Sequence, residues 1–218
     1  MIVTLDGPAG AGKSSVARAL ARRLAFHFLD TGAMYRAVVL AALRRNVPWH
    51  DADAVARLAR EVEIHIDGDR TYLDGEDVSA AIRRPQVTAA VHFVADNPRV
   101  RAHLVELQRR EAAGRSIVTE GRDQGTVVFP SAECKIFLTA TPSERARRRL
   151  LEMRDRGETA DLEEVLQQIG DRDARDESRP VGRLLKAPDA VEVVTDGMCL
   201  ERVVDTLEQL VRGKQGRP

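Results

Sequence analysis

At 218 residues the chain has the length of one large domain, or of one domain carrying an insert, and enough mass to bury a substantial core. Its 34 basic and 34 acidic side chains cancel, so no basic footprint argues for nucleic acid or an anionic membrane, and 43 % hydrophobic with 31 % charged residues is the balance of a soluble globular protein. No apolar run approaches the roughly 18 residues of a membrane span, and the first one, Met1 to Leu5, is interrupted by Thr4 and ends at Asp6, too short for a signal peptide; the chain reads as cytoplasmic.

In chain order, Ile2 to Asp6 is a short buried strand that runs at once into glycines, and Val16, Ala17, Leu20, Ala21 and Leu24 then recur at helical spacing over residues 13–24. A second short strand fits Phe26 to Leu29. Asp30-Thr31-Gly32 reads as a turn, and Ala33 to Arg44 as a strongly apolar helix. Residues 62–96 break the rhythm. Val62 to Ile66 alternates with period two, Asp67-Gly68-Asp69 signals a turn, and Thr71-Tyr72-Leu73 alternates again, which is a hairpin. Helical segments follow at Val78 to Ile82 and Pro85 to Val94. Ile117 to Thr119 and Ile136 to Thr139 read as further buried strands, Val191 to Val194 as a fifth strand, and Leu200 to Arg212 as a last helix. Strands alternating with helices predict an α/β protein with a parallel sheet covered on both faces. Residues 142–178 read as two charged helices joined by Arg156-Gly157-Glu158-Thr159, the first carrying Arg145, Arg147, Arg148, Arg149, Arg154 and Arg156; the tail from Gly213 to Pro218 reads as frayed.

Cys134 and Cys199 belong to no C-x-x-C pair and read as two buried core thiols without disulfide or metal. Only Lys13, Lys135, Lys186 and Lys214 are lysines among the 34 basic residues. Genomic composition produces such a skew, and so does a need for guanidinium forks that grip phosphate in two places; the positions must decide between them.

Gly7, Gly12, Lys13 and Ser14 fill the pattern G-x-x-x-x-G-K-[ST], after a strand and at the start of a helix. Such a loop, here Gly7-Pro8-Ala9-Gly10-Ala11-Gly12-Lys13-Ser14-Ser15, turns its N–H groups toward an anion at the positive end of a helix. Lys13 then reaches the β- and γ-phosphates of a nucleoside triphosphate and the Ser14 hydroxyl is placed for Mg²⁺. Asp6 and Glu120, at strand ends, are the candidate acidic partners of that ion. The loop specifies a nucleotide and leaves the reaction open among hydrolases, switches and small-molecule kinases.

The segment Asp30-Thr31-Gly32-Ala33-Met34-Tyr35-Arg36 resembles the bacterial cytidylate kinases, within the nucleoside monophosphate kinases. So do Pro98-Arg99-Val100-Arg101, the run from Gly121-Arg122-Asp123-Gln124-Gly125 to Pro130, and Arg172-Asp173-Ala174-Arg175-Asp176-Glu177-Ser178-Arg179, all in the family's order and spacing. The likeness covers residues 1–212. It implies a P-loop fold with a five-stranded parallel sheet in the order 2-3-1-4-5. It also implies a core of about residues 1–60, 97–141 and 180–212, an inserted monophosphate-binding subdomain of about 62–96 with a small antiparallel sheet, and a helical lid of about 142–178. The implied reaction is transfer of the ATP γ-phosphate, with Mg²⁺, to CMP or dCMP by a monomer.

Carried over residue by residue, Thr31, Tyr35 and Arg36 bind the acceptor, and Arg101 and Asp123 read the cytosine. Asp176 holds the ribose hydroxyls, while Arg122, Arg172 and Arg179 touch phosphates and Arg148 is the lid arginine. Cytosine presents an amino donor at N4 and an acceptor at N3, which suit a carboxylate and a guanidinium; uracil would set its O4 against the carboxylate. Taken alone, Thr31 also reads as a helix N-cap, Asp123 as a partner of Arg122 in a turn, and residues 172–179 as a solvated charged helix face. Two positions depart from the family pattern: Ser15 stands where many relatives have Thr, and Gln124 where Ile or Met is common. A kinase for UMP, shikimate or another small acceptor remains an alternative. A regulatory nucleotide switch is disfavoured, because the chain has no N-K-x-D segment to read guanine.

Overall fold

The computed structural model describes residues 1–155 and 157–215. Arg156, expected in the connection between the two charged helices, and residues 216–218 of the expected frayed tail lie outside the described residues. Two compact units divide the chain, one of residues 1–26 and 116–218, the other of residues 27–115.

The first unit is built on β1 (Ile2–Asp6), which pairs in parallel with β6 (Ile117–Gly121) and with β7 (Cys134–Thr139); β7 pairs in parallel with β8 (Val191–Val194). β1 is buried on both faces from Val3 onward, which is why its sequence runs apolar without alternation. α1 (Lys13–Leu24) packs on β6, and α8 (Leu200–Gln215) packs on α1 and β7. α8 runs three residues beyond Arg212, so residues 213–215, expected to fray, are helical. α6 (Pro142–Asp155) and α7 (Leu162–Ser178) pair through Ala146, Val165 and Ile169, with Leu150, Met153 and Leu166 packed around them.

The second unit starts with β2 (His27–Asp30), which leads without an intervening turn into α2 (Thr31–Arg44). The Asp30 carboxylate accepts the N–H of Ala33, so Asp30 is the N-cap and the cap reading of Thr31 falls. α2 is the hub of this unit, packing against α3 (Ala52–Glu61), α4 (Pro85–Ala95) and α5 (Pro98–Ala112). The expected hairpin is present as β3 (Ile64–Asp67) and β4 (Arg70–Leu73), antiparallel, with Ile64, Ile66, Thr71 and Leu73 on the buried face. A third strand, β5 (Glu76–Asp77), returns through Asp74 and Gly75, both at positive φ (51° and 81°), as a tight two-residue turn demands. The helix expected over Val78 to Ile82 is a short 3₁₀ turn, Ala81–Arg83.

The five-stranded sheet has the order β2-β6-β1-β7-β8, and the three-stranded sheet β3-β4-β5. The difference from the expected 2-3-1-4-5 is one of counting: that order numbers only the five strands of the large sheet, leaving out the three hairpin strands. Among the described residues no helix is long and apolar enough to cross a membrane. Cys134 is buried as expected, but Cys199 is exposed, since it precedes α8 at the surface; both are free thiols.

Gly7 ends β1 at φ 150°, and a Cβ there would lie 2.0 Å from the carbonyl oxygen of Leu138 on β7. Flexible side-chain atoms could yield; a carbonyl in a parallel ladder cannot. Gly7→Ala is expected to cost about 3 kcal/mol or more, by forcing β1 and β7 apart. Urea unfolding monitored by circular dichroism checks it, and a loss below about 1 kcal/mol would show that the turn relaxes without strain.

Candidate nucleotide site

The turn after β1 is shaped by glycines where side chains have no room. Gly10 and Gly12 stand at φ 76° and 82°, Gly12 being the left-handed N-cap of α1. A Cβ on Gly10 would approach Cβ of Arg145 to 3.2 Å. The carbonyls of the turn are engaged by cations of the protein itself: Lys13 Nζ donates to Pro8 O at 2.7 Å, and Arg145 Nη1 to Ala9 O at 3.0 Å. The first amides of α1 have no partner within the helix, as at any helix start, and form the anion-seeking face of the loop.

Lys13 is buried, and burial, then the charge of Arg122, push its ammonium down to about 7; Glu120 and Asp6 oppose that shift, and Arg172 adds to it. A buried ammonium among guanidinium groups is a strong site for a polyanion.

Two carboxylates flank the loop in different roles. Burial pushes the Asp6 carboxyl up to about 6, against two main-chain hydrogen bonds from Gly125 (2.7 Å) and Gln124 (2.8 Å) that favour its charged form. Asp6 is thereby bound to the turn after β6. Glu120, at the end of β6, accepts the hydroxyl of Ser14 at 2.7 Å. Ser14 and Glu120 thus form an all-oxygen pair beside Lys13, the donor set a hard divalent cation uses when phosphate oxygens and water complete its shell. Among the described residues no group of three or more His, Cys, Asp or Glu gathers that could hold a metal ion.

The arginines separate by burial. Arg122, after β6, donates Nε to Asp176 Oδ2 at 2.7 Å, and Arg179 Nη2 approaches Asp176 Oδ1 at 2.7 Å, so one buried carboxylate on α7 holds two guanidiniums. Burial alone would raise the Asp176 carboxyl; the charges of Arg122 and Arg179 outweigh it and hold it below the usual carboxylate range. Arg172 is exposed on the same helix. The expected solvated face of residues 172–179 is therefore true of Arg172 and Arg175 but not of Asp176.

Arg148 donates to Glu144, to the Thr195 hydroxyl and to the Thr195 carbonyl, and its Nη1 lies 3.9 Å from where a Cβ on Gly12 would stand. Arg147 and Arg149 pair within their own helix, with Glu144 and Glu152. Arg145, not singled out from the sequence, grips the loop backbone, and it also binds Asp173 at 2.6 Å. Six arginines of identical chemistry in one stretch give no sequence signal that would select it.

In the second unit Thr31 is buried at the start of α2, and Arg36 donates to the Thr88 hydroxyl at 2.7 Å. Arg101 is buried on α5, its guanidinium 5.6 Å from the centre of the Tyr35 ring, with Nη1 donating to Ala95 O. The structure thus brings Tyr35 and Arg101 together within this unit. In the first unit it groups Lys13, Ser14, Glu120, Arg122, Arg172, Asp176 and Arg179.

Removing Asp176 takes away the buried carboxylate shared by two half-buried guanidiniums. Asp176→Ala is expected to cost about 3–5 kcal/mol in unfolding free energy. Inorganic phosphate should raise the melting temperature of the variant more than that of the wild type, because it restores the missing counter-charge. The native carboxyl is held low, so its contribution is full above about pH 4 and fades as pH falls through its lowered value; the stability gap between wild type and variant should close on acidification. A gap that does not narrow on acidification would refute the ion-pair account.

The cytidylate kinase family model matches residues 3–213 of the chain. A cytidylate kinase of Rhodopirellula baltica is 51 % identical over 212 residues, spanning 97 % of the chain and 93 % of that protein. A cytidylate kinase of Mycobacterium avium is 52 % identical over 217 residues, spanning 97 % and 95 %. Among solved structures, TT1252 from Thermus thermophilus shares the fold at a TM-score of 0.51 and 20 % identity, with 100 % of this chain and 98 % of that one covered. With the phosphate loop, the Asp176-centred arginines and the buried Arg101 in place, this full-length match says that the chain belongs to the cytidylate kinase family.

Proposed function

We propose that the protein transfers the γ-phosphate of ATP to CMP or dCMP, giving ADP and the pyrimidine nucleoside diphosphate, and that it acts as a monomer in the cytoplasm. The observation that carries this reading is the likeness to cytidylate kinases at about half identity over nearly the whole chain, with the phosphate loop intact.

Phosphoryl transfer asks a protein for alignment and charge, and for little covalent chemistry. The glycine turn from Gly7 to Ser15 cradles the triphosphate, and Lys13 spans its β- and γ-phosphates. Ser14, with Glu120 behind it, would hold Mg²⁺, which would supply positive charge against that of the triphosphate. Glu120 is preferred over Asp6 because both Asp6 oxygens already accept main-chain N–H groups.

On the acceptor side, Arg101 and Asp123 read the cytosine edge, with Thr31 and Tyr35 beside the base and Arg36 on the phosphate. Asp176 takes the ribose hydroxyls while Arg122, Arg172 and Arg179 steady phosphates. Residues 142–178 act as a lid that brings Arg148 to the transferring group and keeps water from it, and residues 62–96 serve the acceptor.

Incubation with Mg-ATP and a panel of CMP, dCMP, UMP, AMP, GMP and shikimate, following ADP formation, tests the reading. Rapid turnover with CMP and dCMP alone is expected; equal turnover of UMP would remove Asp123 as the base reader. Asp123→Ala is expected to narrow the CMP-to-UMP ratio of kcat/KM by roughly ten- to a hundredfold, the worth of one mismatched polar contact. Lys13→Ala should lower kcat by at least about a hundredfold with the fold retained by circular dichroism, and unchanged turnover would take the loop out of the mechanism.

A further inference from the structure

Gln124 is a polar side chain in a place without solvent: it is 2 % exposed, at the start of the π-helical turn Gln124–Val128 that follows β6. A buried amide is costly unless it is bonded, and both the side chain and the main chain of this residue are bonded. Its Oε1 accepts the hydroxyl of the fully buried Thr119 on β6 at 3.0 Å. Its main-chain N–H donates to Asp6, as does that of Gly125. Its carbonyl accepts the N–H of Phe129 at 2.7 Å.

Space fixes it further. The Gln124 Cγ lies 2.8 Å from where a Cβ on Gly121 would stand, so the side chain fills the pocket that glycine leaves. A Cβ on Gly125 would come within 3.0 Å of Thr4 Oγ1 and 3.3 Å of Asp6 Oδ2, which pins the other end of the segment against β1. Between these two anchored glycines the chain carries Arg122, Asp123 and Gln124 alone. Asp123 sits at φ −140°, ψ 21°, outside the regular wells, and its carbonyl accepts the N–H groups of Val127 and Val128.

We infer that Gln124 is a positioning residue for Arg122 and Asp123, acting through a clamp in which its side chain is tied to Thr119 and its main chain to Asp6. The inference rests on the proposed reading in which those two residues grip the acceptor nucleotide. Directional contacts to a base and a phosphate tolerate little misplacement, so the clamp sets acceptor affinity and base choice without touching the acceptor. Asp6 is the residue before Gly7, and the same carboxylate therefore joins the strand that opens the phosphate loop to the turn that bears Asp123. The Thr119–Gln124 bond does not involve the Ser14–Glu120 pair: neighbouring residues of a strand face opposite ways, so a change at Thr119 leaves Glu120 and Ser14 in place.

The test compares wild type with Gln124→Met, Thr119→Val, their double variant and Thr119→Ser, measuring KM for CMP, KM for ATP, kcat, the CMP-to-UMP ratio of kcat/KM, and melting temperature. Both single hydrogen-bond deletions should raise KM for CMP about fivefold, the equivalent of one net hydrogen bond, and should narrow the CMP-to-UMP ratio. KM for ATP should stay within about twofold, and the double variant should be no worse than either single one, since both remove the same bond. Thr119→Ser, which keeps the hydroxyl, should retain wild-type values. Unchanged CMP parameters with a lowered melting temperature would overturn the inference, and so would KM values for ATP and CMP rising together. If the wild type takes another nucleotide in place of CMP, the proposed function fails separately, and the same proteins are compared on the acceptor it does use.

Discussion

The main chain at Gly7 passes so close to Leu138 of β7 that no side chain fits between them. That close approach fixes where β1 ends and in which direction the loop leaves. From there the loop is confined on a second side by α6, whose Arg145 stands over Gly10 and draws in the Ala9 carbonyl. Lys13 folds back to the Pro8 carbonyl. With its carbonyls drawn toward protein cations, the turn presents amides, and a ring of amides at a helix start seeks an anion.

The surrounding charges follow from that arrangement. Lys13 is buried beside Arg122 and Arg172, and the ammonium is held down to about 7 because burial and like charge outweigh Glu120 and Asp6. Each carboxylate near it is already committed: Asp6 to two main-chain amides, Glu120 to Ser14, Asp176 to two arginines. A bound triphosphate would supply the negative charge that this cluster lacks, and the ammonium would then be favoured in its charged form. Electrostatic readiness of this kind comes from burial, which no count of charged residues reveals; the chain as a whole is neutral.

How much could be read from the sequence depended on how local the signal was. β1, the loop and α1 follow each other within some two dozen residues, and each constrains the next, so their order and type were legible. The hairpin of β3 and β4 showed itself by alternation and a Gly-containing turn. β5 did not: two residues are too few for periodicity, although Asp74-Gly75 is a turn signal. α3 and α5 were missed despite good start signals, the Asp51 cap and the Asn97-Pro98 pair, because their charged faces dilute the apolar pattern. Cys199 belongs to no motif, and residue type by itself points to burial; its place ahead of α8 exposes it. Gln124 stood out only as a departure from a family pattern. Its partners, Thr119 and Asp6, are five and 118 positions away, and only the second distance is beyond local reading.

The same limit applies to the arginines of α6, and there the physical cost of letting go sorts them. Arg145 is 5 % exposed and bonded to Ala140 O, Ala9 O and Asp173; freeing it would leave a half-buried carboxylate and two carbonyls short of a donor. Arg148 is 21 % exposed; its charged partner is Glu144 one turn away, a pair of the class worth about 0.3–0.5 kcal/mol, and it also donates to the hydroxyl and the carbonyl of Thr195. A side chain that must meet a transferring phosphoryl group has to surrender its resting partners within a turnover. On the proposed reading, Arg145 is therefore the anchor that ties the loop to α7, and Arg148, more exposed and bonded to Glu144 and Thr195 rather than to the loop, is the arginine that exchanges those partners for the phosphate.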